Sequence, residues 1–221
     1  MLEIIFIHIP KTAGSSVLEI IRQNYHESEI QVVKRGDFKE NANISPSEFL
    51  RKVVAPETKV LLGHFTFREV EPLVPDHPGV KIITFLREPV HRVISNFLFF
   101  KQRILTGKVP DKLMKRASET LLDYARLDQS QNRMSFFLDG IDLKSLFFVG
   151  LMESFDEDIA ILTKALGLHI DSVPNANKNR FFNTKDFEIS PEELVEIKAL
   201  NSEDVKLYER AIELRNKNLN R

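Results

Sequence analysis

The chain has 221 residues, 43% of them apolar and 29% charged, which suits a soluble globular protein with room for a single α/β domain over residues 1–221. A formal net charge of −1 excludes a globally basic nucleic-acid binder, and the lack of cysteine excludes disulfides, thiolate metal sites and cysteine nucleophiles. The N-terminus has no basic leader region and no run approaches the roughly 18 apolar residues of a membrane span, so a cytoplasmic protein without a transmembrane segment is expected.

Residues 2–9 form an almost wholly apolar run and read as a buried parallel strand. Residues 15–24 follow, with Val17, Leu18, Ile20 and Ile21 on one helical stripe. A second helix starts at Ser45, an N-cap with Pro46 at the first helical position and Glu48 completing a capping box. The run KVLLGHF, 59–65, is a second strand, DHPG at 76–79 a turn, and VKIITFLR at 80–87 a third strand. Pro89 then opens a helix to about residue 105. Residues 111–138 read as helical, ending near Asp139-Gly140. LFFVG, 146–150, is a fourth strand, followed by a helix over 154–166 with Gly167 past its end. NANKNR, 175–180, is a polar loop, and Ser190 to Glu193 repeats the capping-box pattern ahead of a charged C-terminal helix.

Strands alternating with helices imply a parallel sheet flanked by helices on both faces. Such sheets bind ligands at the carboxyl ends of their strands. Those ends carry Lys11 to Ser16, His64, Arg87, and Gly150 to Glu153.

The first of these stretches, PKTAGSS at 10–16, is the richest in chemistry. A helix N-terminus offers unpaired N–H groups and a partial positive charge. Gly14 permits close backbone approach, Thr12, Ser15 and Ser16 add hydroxyls, and Lys11 adds a full charge. Together they suit a phosphate or sulfate group, although an ordinary capped helix with a solvated lysine would share the pattern. The lysine precedes the glycine, so this is not the Walker order that goes with magnesium-nucleotide hydrolysis. In REPVHRVIS, 87–95, Arg87 ends a strand, and Arg92 and Ser95 lie one turn apart on the helix. Arginine suits bidentate phosphate contact, while pairing of Arg87 with Glu88 is the competing explanation.

His64 sits just past its strand at the same edge of the sheet and is the candidate general base. His8 precedes the anion loop and could line the site, and His91 reads as a surface residue. No histidine spacing suggests a metal site. Asp123, Tyr124, Asp128, Glu153, Asp156, Glu157 and Asp158 read as solvated helix positions. Phe97, Phe99 and Phe100 read as core or as a wall of the site.

The two motifs, PKTAGSS after the first strand and REPVHRVIS after a later one, resemble those of sulfotransferases that use 3′-phosphoadenosine 5′-phosphosulfate (PAPS). The likeness is to the carbohydrate group that includes heparan sulfate 2-O-sulfotransferase and its bacterial relatives. GHFTF, QNRMSFFLDG, FVGLMESFDEDIAIL and NANKNR also fit that group. The resemblance implies a sulfotransferase fold, with a P-loop-like parallel sheet. It implies PAPS as co-substrate without a metal, and a carbohydrate or small-molecule acceptor hydroxyl. Residue by residue, it implies that Lys11 contacts the 5′-phosphosulfate and stabilises the leaving oxygen, while Thr12, Ala13, Gly14, Ser15 and Ser16 wrap that group. Arg87 and Ser95 would hold the 3′-phosphate, with Arg180 near the cofactor and His64 as catalytic base. His8 stands where the 2-O group often carries an arginine, and Phe97 where a tyrosine is often seen. A kinase-like phosphoryl transferase and a non-catalytic nucleotide-binding module remain as alternatives.

Overall fold

The computed structural model describes residues 1–171 and 187–219. Five strands, β1 (Ile4–Ile7), β2 (Ile30–Val33), β3 (Val60–Gly63), β4 (Lys81–Leu86) and β5 (Phe148–Leu151), form one parallel sheet in the order β2-β3-β1-β4-β5. Every residue of β1 and β3 is buried, as expected for the centre of a sheet covered on both faces. The register aligns Ile7 with Gly63 on one side and Thr84 on the other, so β1 and β3 end together and β4 runs two residues further. That alignment brings their following loops to one edge.

Between β1 and β3 lie α1 (Gly14–Arg22), β2, α2 (Arg35–Glu40) and α3 (Pro46–Val53), and α4 (Phe67–Val70) follows β3. Helix α5 (Pro89–Leu105) follows β4, then come α6 (Asp111–Met114), α7 (Leu121–Ala125) and α8 (Arg133–Phe137). After β5 run α9 (Phe155–Leu166), α10 (Pro191–Leu200) and α11 (Ser202–Leu219). Val17, Ile20 and Ile21 of α1 pack with Ile159 and Leu162 of α9 on one face of the sheet. Leu50, Val70, Met134, Phe137 and Tyr208 pack on the other. A third cluster joins α5, α7 and α10 through Val93, Phe97, Tyr124 and Ile197. The capping boxes at Ser45 and Ser190 form as the sequence predicts.

The structure departs from the sequence reading in three places. Strand β2 was not expected; it is a four-residue edge strand with only its end residues buried, too short to show a period. The helix expected over 111–138 is broken. Thr120 starts α7 with its own capping box, and Asn132 takes a left-handed φ of 44° before α8. Asp158 and Tyr124 are buried rather than solvated: Asp158 accepts from Leu151 N at 2.7 Å and Arg215 Nε at 2.7 Å, and Tyr124 Oη accepts from Asn96 Nδ2 at 2.7 Å. Among the described residues no helix is long and apolar enough to cross a membrane.

Candidate anion-binding and transfer site

The site is built from the ends of three neighbouring strands. After β1, His8 N donates to Gly63 O at 2.9 Å and carries the ladder one residue further. The chain then turns through Lys11 and Ala13, with φ of 74° and 70°, a left-handed conformation uncommon for non-glycine residues. Residues held this way concentrate at functional sites. Thr12 is fully buried, and its hydroxyl donates to Ile9 O at 2.8 Å, which stiffens the turn from within.

Helix α1 starts at Gly14 with Ala13 as N-cap. It has no side-chain cap and no acidic residue in its first turn. Among the described residues its positive end therefore has no capping side chain. Gly14 is required sterically, because a Cβ there would fall 1.9 Å from His8 Nε2. Ser15 is exposed at this helix start and Ser16 is buried beside it.

Two cations meet at this point. The Lys11 ammonium lies 4.3 Å over the Phe99 ring, and Arg87 Nη1 donates to Lys11 O at 3.4 Å. Burial, together with the Arg87 charge, lowers the Lys11 pKa to about 8. Burial also pulls Arg87 down, opposed by Glu153 and Glu88. Glu88 itself caps α5, accepting from His91 N at 2.7 Å. Ser95 is buried on the second turn of α5. Arg92, one turn before it, faces inward: it is fully buried, donates to Ser130 O at 2.7 Å and lies 3.7 Å from Asp204. Arg92 is thus part of the scaffold, one turn from Ser95 as the sequence spacing predicts. Arg180 and the loop over 175–180 lie outside the described residues.

His64 N donates to Val33 O at 3.0 Å, and the ring Nδ1 lies 2.8 Å from His8 O. A carbonyl oxygen can only accept, so Nδ1 carries the proton and Nε2 keeps its lone pair. That is the tautomer a general base needs. Burial lowers the His64 pKa below its ordinary 6.5, with the His8 hydrogen bond opposing, so the ring is neutral near pH 7.

Phe99, read as core or as a wall of the site, lies beneath Lys11. Sequence reasoning missed Met134, whose Sδ lies 3.5 Å from Arg87 N, because spacing along the chain carries no signal for that contact. Glu153 is exposed, as the sequence reading has it, and also accepts from Glu88 N at 3.0 Å and Tyr208 Oη at 2.6 Å, tying β5 to the start of α5 and to α11.

The model of the sulfotransferase family matches residues 2–212. The chain belongs to the sulfotransferase family. Among solved structures, this sulfotransferase is similar to mouse sulfotransferase SULT7A1 complexed with PAP, at 13% identity and a TM-score of 0.60, over 100% of this chain and 89% of that one. At that identity the likeness is one of fold. A sulfotransferase from Alicyclobacillus acidocaldarius matches at 18% identity and a TM-score of 0.46, over 97% of this chain and 96% of the other. No curated protein matches the sequence.

Proposed function

We propose that this sulfotransferase moves a sulfuryl group from PAPS to an acceptor hydroxyl, that of a carbohydrate, with His64 as general base. The observation that carries the reading is the pairing of an uncapped, basic helix start with a histidine whose free nitrogen is Nε2, at one edge of the sheet. The residues fit the co-substrate. The positive end of α1 has no capping side chain among the described residues, Gly14 has no side chain, and Lys11 and Arg87 supply charge beside it. The mouse structure with PAP, the desulfated product nucleotide, supports the choice of donor. The carbohydrate acceptor is supported by the likeness of PKTAGSS and REPVHRVIS to the carbohydrate group.

PAPS supplies the activated sulfuryl group. Lys11 and the N–H groups at the start of α1, with the Ser15 and Ser16 hydroxyls, hold the 5′ end and stabilise charge as it develops on oxygen. Arg87 and Ser95 hold the 3′-phosphate. His64 Nε2 takes the proton of the acceptor hydroxyl.

Calorimetric titration with adenosine 3′,5′-bisphosphate, in the absence of magnesium, tests the reading. Wild type should bind, and Arg87→Ala should bind roughly 10–100-fold more weakly, the usual loss of a charge-assisted contact. No binding by a folded wild type would overturn the PAPS assignment. Tight binding only with magnesium would favour a phosphoryl-transfer enzyme.

The pH profile of kcat/KM follows from the two shifted groups. His64 must be neutral, so activity falls as pH drops through its pKa, which burial places below 6.5. Lys11 must be charged, so activity falls again as pH rises past about 8. A profile flat from pH 5 to pH 9 would remove both assignments.

A further inference from the structure

His8 has not been given a role by the reaction above, yet its ring touches both halves of the site. On one side it stacks on His64, with ring centroids 4.3 Å apart and planes 32° apart. On the other it lies so close to Gly14 that a Cβ would fall 1.9 Å from Nε2 and 2.1 Å from Cδ2 and Cε1. Phe6 backs the ring at 5.7 Å, nearly parallel. The backbone is fixed as well, because His8 N donates to Gly63 O at 2.9 Å and His8 O accepts from His64 Nδ1 at 2.8 Å. The imidazole is therefore a wedge between the anion loop and the base. Its Nε2 edge faces the helix start where the loop would hold an anion.

We propose that the His8 imidazole is a hydrogen-bond donor to the sulfuryl group, acting from its Nε2 edge between the anion loop and His64. The proposal rests on the PAPS reading above. The ring touches Gly14 of the loop on one side and His64 on the other, so a group held by the loop and an acceptor at His64 would both lie beside it. In that step the acceptor oxygen forms the new bond to sulfur, the bond from sulfur to the 5′-phosphate oxygen breaks, the hydroxyl proton goes to His64, and His8 keeps its own proton. The groups around the ring support this. Burial first, then the charges of His64 and Lys11, push the His8 pKa down to about 3, so the ring is neutral at working pH and has one N–H to give. A donor without a net charge adds no repulsion to Lys11 or to a protonated His64.

The test is NMR of the wild-type protein labelled with ¹⁵N-histidine, with His8→Phe used to assign the His8 signals and calorimetry run alongside. The expected result is a His8 ring carrying its proton on Nε2, with a signal that shifts downfield on addition of PAPS and much less on addition of adenosine 3′,5′-bisphosphate, which lacks the sulfuryl group. His8→Phe keeps the stack on His64. It should retain nucleotide affinity and lower PAPS turnover by about 10²-fold, as loss of an oxyanion donor does. PAPS binding without any shift of the His8 signal overturns the proposal. A proton found on Nδ1, or a His8→Phe variant with wild-type turnover, overturns it too. A wild type that binds neither nucleotide is a different failure: it removes the PAPS reading itself, and the His8 role with it.

Discussion

His64→Ala is expected to slow sulfuryl transfer by about 10²–10⁴-fold, the usual range for a lost general base, while affinity for adenosine 3′,5′-bisphosphate stays near wild type. The separation of the two effects follows from position. His64 follows β3 and its ring is held by His8 O, whereas the residues assigned to the nucleotide follow β1 and β4. The substitution removes the Nε2 lone pair that the bond from Nδ1 to His8 O defines. Rates under saturating PAPS, paired with calorimetry, make the check. A variant that kept most of the rate would show that the acceptor proton leaves by another route. One that lost binding as well would show that His64 supports the loop rather than the chemistry.

Asp204→Ala is expected to cost about 3–5 kcal/mol of stability, because it strands a buried charge. Arg92 and Asp204 are both fully buried, with Arg92 Nε 3.7 Å from Asp204 Oδ2. That separation is a charge contact rather than a hydrogen bond, and among the described residues Arg92 Nε has no hydrogen-bond partner. Burial pulls the Arg92 pKa down, and the neighbouring Asp204 charge opposes it. Asp204 also accepts from Met134 N at 3.1 Å and Ser135 N at 2.7 Å, so it holds the start of α8. Met134 in turn lies against Arg87 N, and the damage reaches the candidate anion site. Thermal melting should show a fall of roughly 10 °C. The paired change Arg92→Met with Asp204→Leu should recover only the part due to the stranded charge, because Met134 N and Ser135 N still lose their acceptor. A loss under about 1 kcal/mol for Asp204→Ala would mean that the pair is not a keystone of the packing.

Much of the sheet was legible from local pattern. The runs at 2–9, 59–65, 80–87 and 146–150 are apolar enough to be buried on both faces, and each contains a strand. The boxes at Ser45 and Ser190 read directly because a capping box is a contact within four residues. Strand β2 escaped because it sits at the edge of the sheet, paired with β3 alone, and its alternation is too short to count. The segment 111–138 escaped because its breaks are set partly from outside. Asn132 Oδ1 accepts from Glu203 N and Asp204 N, at 3.1 Å and 3.2 Å, so residues some seventy positions away shape that turn.

The same division holds for the candidate site. The sequence by itself determined which residue types would stand at the carboxyl ends of the strands: Lys11, His64 and Arg87 each follow an apolar run that has to be a central strand. Hydrophobic burial fixes the strands, and a parallel sheet then brings their ends together. Only the tertiary structure decided what those side chains do there. It turned Arg92 into the core and set Lys11 over Phe99. It gave the His64 proton to Nδ1 through His8 O, and slid the His8 ring into the space that Gly14 leaves open. Those outcomes depend on contacts at distances of a few ångströms between segments far apart in the chain, and no periodicity or motif along the chain encodes them.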